Sequence, residues 1–178
     1  MNYRPLQLLL LAGTLLLALL LSWQGAPLTT VAESSAGIVS LQWARTAQQA
    51  TAIRNAWGTV PEAPLMQVAL QNIRLDFAYI LFYVLLLYTA VMAGSQQLPT
   101  ALRRWVPYMG ILTLKAGLMD VIENGMLLYQ LQHRITQLTA AVTYTAAILK
   151  FLLLVIVATW ILMNTLLRLF AAGRYRTK

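Results

Sequence analysis

Residues 146–163 read AAILKFLLLVIVATWILM, and this run decides the class of protein to which the chain belongs. It carries one charged side chain, Lys150, and approaches the roughly 20 apolar residues that cross the hydrocarbon core of a bilayer. The rest of the chain agrees with it, since 60% of the 178 residues are hydrophobic and only 10% are charged. Soluble domains carry roughly 25% charged residues, so the composition predicts a membrane protein.

Four stretches of the chain, including this run, are apolar enough to be predicted as transmembrane helices. They cover residues 6–23, 75–93, 105–128 and 139–170. The first could instead be a signal peptide, but its apolar part exceeds the roughly 7–15 residues that such peptides use. We therefore expect a retained helix, and one all-α domain over 1–178 built as a bundle of four transmembrane helices.

The sizeable segment outside these spans is residues 25–74. Five apolar residues in it recur at spacings of three and four: Trp43, Ala47, Ala50, Ile53 and Trp57. This periodicity predicts an amphipathic helix over about 40–57. Tryptophan at both ends and few charges suit a helix at the membrane interface, across the outer mouth of the bundle. Packing of the same face on loop residues is an equally good alternative.

Basic residues predict the orientation of the chain. With the N-terminus inside, seven of them are cytoplasmic: Arg4, Arg103, Arg104, Arg168, Arg174, Arg176 and Lys178. Four fall outside: Arg45, Arg54, Arg74 and Arg134. The excess of basic residues on the inner side predicts a multi-pass protein of the cell (inner) membrane with both termini cytoplasmic. Because the net charge of +8 clusters beside apolar runs, we expect membrane lipid as the partner and no nucleic acid.

Charged side chains within the predicted spans are the strongest functional signal. Three of the five acidic residues and two of the three lysines lie in or at these spans: Asp76, Asp120, Glu123, Lys115 and Lys150. A charge near the bilayer centre costs roughly 2.5–3.5 kcal/mol on insertion scales. These side chains must therefore pair with one another, face a polar cavity, or do both.

The spacing and depth of these residues predict a cluster. Asp120, Glu123 and Asn124 share one face of the third helix, at i, i+3 and i+4. At 1.5 Å per residue, Lys150 lies about 6 Å to the outer side of the centre of the fourth helix, at the depth of the two carboxylates. We expect Lys150 to pair with Asp120 or Glu123, with Asn124 and Tyr83 completing the hydrogen bonds.

Asp76 has a simpler explanation. It is predicted in the first turn of the second helix beside Arg74, where a carboxylate complements the helix dipole. It still belongs to the predicted ligand-binding set, which is Asp120, Glu123, Asn124, Lys150, Tyr83 and Asp76. The chain has no cysteine and one histidine, His133, so no catalytic residue, metal ligand or cofactor is assigned.

Three short motifs resemble a family of bacterial four-helix integral membrane proteins. They are Leu75-Asp76-Phe77 followed by Tyr83, Ala116-Gly117 with Asp120-x-x-Glu123-Asn124, and the outer segment from Ser40-Leu41-Gln42-Trp43 to Ala56-Trp57-Gly58. The resemblance covers about residues 37–128. It implies the four-helix fold, and it implies that Asp76, Asp120, Glu123 and Asn124 belong to the pattern of that family. It implies no activity.

Three functions fit these observations. The favoured one is a binding or permeation module, in which the polar cluster holds a small polar solute, a lipid headgroup or a proton. The second is an accessory or scaffold subunit with a membrane-protein partner or a second copy of itself. The third is an intramembrane enzyme acting on a lipid, with Asp120 and Glu123 as acid and base. We favour the non-enzymatic functions.

Overall fold

A computed structural model describes residues 3–59, 64–94 and 98–175, with side chains as far as residue 167. Within these ranges the chain is helical and contains no strand. Its helices are α1 (Arg4–Gly25), α2 (Ile38–Gln42), α3 (Ala47–Gly58), α4 (Leu65–Gly94), α5 (Thr100–Arg103), α6 (Val106–Gln132) and α7 (Gln137–Tyr175). The basic residues Arg176 and Lys178, used above for orientation, lie outside the described residues.

Three stretches are long and apolar enough to cross a membrane. They are Arg4–Thr30, which adds a 3-10 turn to α1, then Leu65–Gly94 and Gln137–Leu167. The chain is thus an all-helical protein with the helices expected of a membrane protein. The third predicted span corresponds to α6, which has 27 residues but is not among these three. Its apolar run is interrupted by Lys115, Asp120 and Glu123.

Helices α4 and α6 run antiparallel and approach each other closely. Gly110 lies beside Met92, and Gly117 lies beside Val84. A Cβ atom built on Gly117 would be 2.6 Å from Cγ2 of Val84, so a larger residue does not fit there without movement. The two glycines therefore let α4 and α6 pack with their backbones near each other, as small residues do in membrane helix pairs.

The predicted amphipathic helix over 40–57 is two helices in the structure. Helix α2 ends at Gln42, and α3 begins at Ala47. The interruption has a local cause, because Thr46 is extended and its side-chain oxygen accepts a hydrogen bond from the backbone N–H of Gln49. An N-cap of this kind starts a new helix and ends continuity with the preceding turn.

The apolar side of α3 packs on protein. Ala50, Ile53 and Trp57 are buried, in one cluster with residues such as Leu65 of α4 and Leu131 of α6. Arg54 donates hydrogen bonds to the backbone oxygens of Gln130 and His133 at the end of α6. The segment from Ala26 to Gly58, called the outer segment below, therefore covers one end of the helix bundle.

Helix α4 starts ten residues earlier than the predicted second span. Leu65, Ala69 and Ile73 are each at most 1% exposed, so its first turns are held by burial against the outer segment. The expectation that Asp76 lies in the first turn was therefore wrong, because three helical turns precede it. Its carboxylate cannot be explained by the helix dipole, which acts only near the first turn.

Candidate ligand-binding site

Lys150 lies between two carboxylates in the interior of the bundle. Its Nζ atom is 2.9 Å from Oδ1 of Asp120 and 2.8 Å from Oε2 of Glu123. None of the three residues is more than 6% exposed. The predicted pairing of Lys150 with these carboxylates is therefore present, and it includes both of them. In the part of the chain that the structure describes, Oε1 of Glu123 has no hydrogen-bond partner.

Helix α4 contributes hydrogen-bonding groups to the same cluster. The hydroxyl of Tyr83 donates to Oδ2 of Asp120 at 2.6 Å, as the sequence predicted. Asn124 was expected to support the Lys150 pair, but its amide instead donates to Oδ2 of Asp76 at 2.8 Å. Asp76 of α4 and Asp120 of α6 thus each receive a side-chain hydrogen bond from the other helix of this pair.

A cleft of about 690 Å³ lies beside this cluster. Residues Thr14 and Leu21 of α1 belong to one wall, and Phe151 and Ala158 of α7 belong to the other. Helix α4 lies between the walls and contributes both polar and apolar residues to the lining of the cleft. Four residues of the predicted ligand-binding set line the cleft: Asp76, Tyr83, Asp120 and Lys150. Glu123 and Asn124 are behind this surface and act through their contacts with Lys150 and Asp76.

The cleft is polar toward one end and apolar toward the other. Asp76 and Tyr79 lie near the outer segment, whereas Leu86 and Leu87 lie further along α4. At 1.5 Å per residue, Asp76 and Leu87 are separated by about 16 Å along the helix axis. The outer segment covers the polar end, since Ala26, Gly37 and Gln42 also belong to the lining.

Two polar side chains in the cleft have unused hydrogen-bonding capacity. Gln42 is 7% exposed and lines the cleft, and its amide has no hydrogen-bond partner among the described residues. Tyr79 packs its ring 5.3 Å from that of Tyr83, and its hydroxyl is equally unpartnered within that set. Buried polar groups are usually bonded, so the amide of Gln42 requires a partner such as water or a ligand, and the half-buried hydroxyl of Tyr79 is available to the same partner.

An aromatic stack borders the cleft at the outer segment. Trp43 stacks on Phe151 of α7 with ring centroids 5.9 Å apart and planes 16° from parallel. Nζ of Lys150 lies 4.8 Å from the centroid of Phe151, within the range of a cation–π interaction. Trp43 was predicted on the apolar face of the amphipathic helix, but it follows α2 and links the outer segment to α7 instead.

Sequence reasoning missed three of the lining residues that matter most. Gln42, Tyr79 and Phe151 were not in the predicted set. The tyrosine had a usable signal, because Tyr79 and Tyr83 are four residues apart on one helix face with Asp76 a turn before them. For Gln42 and Phe151 the sequence offers no such signal.

The described residues show no group of three or more histidine, aspartate or glutamate side chains arranged to hold a metal ion. Comparison with known proteins found no matching family model, curated protein or solved structure. The resemblance to bacterial four-helix membrane proteins therefore stays a prediction. The function has to be argued from the cleft and its polar cluster.

Proposed function

We propose that this chain is a four-span membrane protein that binds an amphipathic, lipid-like molecule in the cleft between α1 and α7. The polar end of that molecule would lie at Asp76, Asp120 and Lys150, and its apolar part beside Leu86 and Leu87. The observation that carries the proposal is the polarity of the cleft, which is polar toward one end and apolar toward the other.

The contacts of α6 support its assignment as the fourth span. It lies along α4 from the Asp76–Asn124 hydrogen bond to the Gly110–Met92 contact. If α4 crosses the bilayer, α6 crosses it at the same depth. The two carboxylates of α6 do not oppose this, because Asp120 and Glu123 are buried against Lys150 and away from lipid. Paired, inward-facing charges are the form in which membrane helices tolerate them.

The shape of the cleft favours an amphiphile over a small polar solute. A solute needs polar groups on all sides, whereas the end of this cleft away from the outer segment is lined by Leu86, Leu87, Leu154 and Ala158. The walls also belong to the outside of the bundle, since Phe151 and Ala158 are exposed. A molecule dissolved in the bilayer can therefore enter from the side. Mostly apolar pockets with a few polar groups are the usual form of small-molecule sites.

The experiment is native mass spectrometry of the protein extracted gently from its own membrane. We expect one lipid-like molecule to remain bound per chain. Ala158→Phe adds a ring inside the cleft and should remove that molecule. Val155→Phe adds bulk at a position 62% exposed that does not line the cleft, so it should leave the molecule bound. Two results would contradict the proposal. One is a wild-type protein without a bound lipid-like molecule, and the other is an equal bound fraction in the wild type, Ala158→Phe and Val155→Phe.

The accessory-subunit function has one observation in its favour. Lys115 is exposed on α6 and makes no ion pair within the described ranges. An unpaired lysine within a span is costly and is satisfied by a partner or by reaching the headgroups. The same mass spectra distinguish the two functions, because this alternative requires a bound protein in place of the lipid-like molecule.

A further inference from the structure

The polar end of the cleft has more carboxylates than cations. Asp76 and Asp120 line it, and Glu123 lies directly behind it in contact with Lys150. Among the residues that the structure describes, Lys150 is the cation of the lining, and no arginine belongs to it. The formal charge of this group is therefore −2, within a protein whose overall net charge is +8. A site of the opposite sign to the whole molecule restricts which headgroup it can hold.

One of the two excess negative charges belongs to Asp76, and the other belongs to the group of Asp120, Glu123 and Lys150. Lys150 already contacts both Asp120 and Glu123, so its charge is compensated. The one side-chain hydrogen bond to Asp76 comes from the neutral amide of Asn124 and goes to Oδ2. Its second oxygen is left for the cleft. Burying a carboxylate without a cation is costly, so a cationic ligand is favoured there and a phosphate or carboxylate headgroup is opposed.

The uncharged groups of the same cleft also suit a donor-rich cation. A protonated primary amine has three N–H donors and no acceptor. Tyr79 and Gln42, which have no hydrogen-bond partner in the described structure, each supply an acceptor oxygen to the same cleft. The adjacent rings of Tyr79 and Tyr83 can add a cation–π contribution. Together with the carboxylate of Asp76, the cleft therefore offers three acceptor groups, as many as the donors of an ammonium.

We infer that the ligand of this cleft is a long-chain primary amine, with its ammonium group on Asp76 and its hydrocarbon chain beside Leu86 and Leu87. This inference rests on the proposed function, because it assumes that an amphiphile occupies the cleft. It adds the chemical class of the headgroup. A protein with a net charge of +8 attracts anions at long range, so selectivity for an amine has to come from the site itself.

The test uses purified full-length protein in a neutral detergent and four probes. Three share one chain length and differ in headgroup: dodecylamine, dodecanol and dodecanoate. The fourth, ethylamine, keeps the amine without the chain. Binding is measured by titration in native mass spectrometry. We expect dodecylamine to bind at least about tenfold more tightly than dodecanol and dodecanoate, and ethylamine not to bind at the same concentrations.

Two variants locate the selectivity. Asp76→Asn removes the charge with little change in size, and it should bring the three dodecyl compounds to similar affinity. Glu33→Gln removes a carboxylate that is exposed on the outer segment, and it should leave the preference for the amine unchanged. A preference for the amine that persists in Asp76→Asn would overturn the placement on Asp76. The wild-type comparison of headgroups stands even if Asp76→Asn does not fold.

The outcomes separate this inference from the proposed function. Equal binding of all three dodecyl compounds to the wild type would overturn the amine and leave an amphiphile-binding cleft. Tighter binding of dodecanoate would do the same. No binding of any dodecyl compound would contradict the proposed function itself. Ethylamine binding as tightly as dodecylamine would show a site for a soluble amine and would overturn the long-chain ligand.

Discussion

Asp120 joins three helices through one carboxylate. It lies on α6, and its two oxygens contact Tyr83 of α4 and Lys150 of α7. Both contacts are shorter than 3 Å and both are shielded from solvent. In such surroundings the loss of one partner leaves the remaining groups without compensation, which costs more than the contact itself contributes. Single substitutions in this cluster should therefore have measurable effects on stability.

Tyr83→Phe tests the contribution of the hydroxyl to this arrangement. We expect the free energy of unfolding in detergent to fall by about 1–2 kcal/mol, because Asp120 loses a hydrogen bond in a membrane interior. Tyr79→Phe is the matched control, since the Tyr79 hydroxyl has no protein partner in the described structure. It should change stability by less than about 0.5 kcal/mol. Equal losses in both variants would show that the Tyr83–Asp120 bond contributes nothing specific.

The sequence predicted the contacts of Lys150 and Tyr83 but not the surroundings of Asp76. The difference is that depth along two straight helices follows from residue counting, and Lys150 and Asp120 are at equal depth. The environment of Asp76 depends on where α4 begins, and that is decided by burial of Leu65 and Ala69 under the outer segment. Such burial requires the tertiary structure and has no local pattern.

The contact between α4 and α6 depends on the absence of a side chain at Gly117. Val84 faces it, and a β-branched residue in a helix has one strongly preferred rotamer with which to respond. The helices must therefore separate, or Val84 must leave its rotamer, if residue 117 acquires a Cβ atom. Because Tyr83 and Asp120 lie directly beside this contact, a small separation also lengthens their hydrogen bond.

Gly117→Ala should destabilise the protein by about 1–3 kcal/mol through overpacking. Gly125→Ala is the control on the same helix, because a Cβ atom there meets nothing within 4 Å. It should be neutral or stabilising by up to about 1 kcal/mol, since alanine is the better helix former. Denaturation with sodium dodecyl sulfate, followed by circular dichroism, measures both. A Gly117→Ala protein as stable as Gly125→Ala would contradict the close-packing argument.

The helices themselves follow from hydrophobic runs, but their boundaries do not. The predicted span at 139–170 lies within α7, which begins at Gln137. The predicted helix over 40–57 failed at residues 43–46, because apolar spacing continues through them while the backbone turns. Thr46 was a usable sign, since threonine followed three residues later by glutamine is a capping-box pattern.

The two ends of α6 lie at opposite ends of the molecule, and their positions relative to the membrane can be used to test the four-span proposal. The outer segment contacts the α6–α7 connection through Arg54 and through Gln137, whose side chain accepts a hydrogen bond from the N–H of Ala47. Residue Thr100 lies at the opposite end of α6. If α6 crosses the bilayer with the predicted orientation, residues near 48 and 133 are outside and residue 100 is inside.

Cysteine labelling measures this directly, because the chain contains no cysteine of its own. In intact cells we expect a membrane-impermeant maleimide to label Gln48→Cys and His133→Cys but not Thr100→Cys. Labelling of Thr100→Cys alone would show the reverse orientation. The same result for His133→Cys and Thr100→Cys would show that α6 does not cross the membrane.

The cleft could not have been predicted from the sequence. Its polar residues were identifiable as charges in apolar surroundings, but the space beside them exists because α1 packs along α4 and leaves room between itself and α7. Nothing in the leucine-rich stretch of residues 6–23 specifies the helix against which α1 packs. Its exposed residues Leu8, Leu9 and Leu19 are chemically equivalent to its packed leucines. That choice is a property of the whole bundle.

The outer segment has a consequence for how the site is filled. Its burial of Trp57, with the indole N–H donated to Ser34, fixes it over the polar end of the cleft. In the proposed four-span arrangement, the open route is then sideways, between two helices that face lipid. Occupancy would follow the mole fraction of the ligand within the bilayer and not its concentration in water. A ligand too insoluble to be measured in solution could still saturate the protein, and adding more lipid would dilute it away.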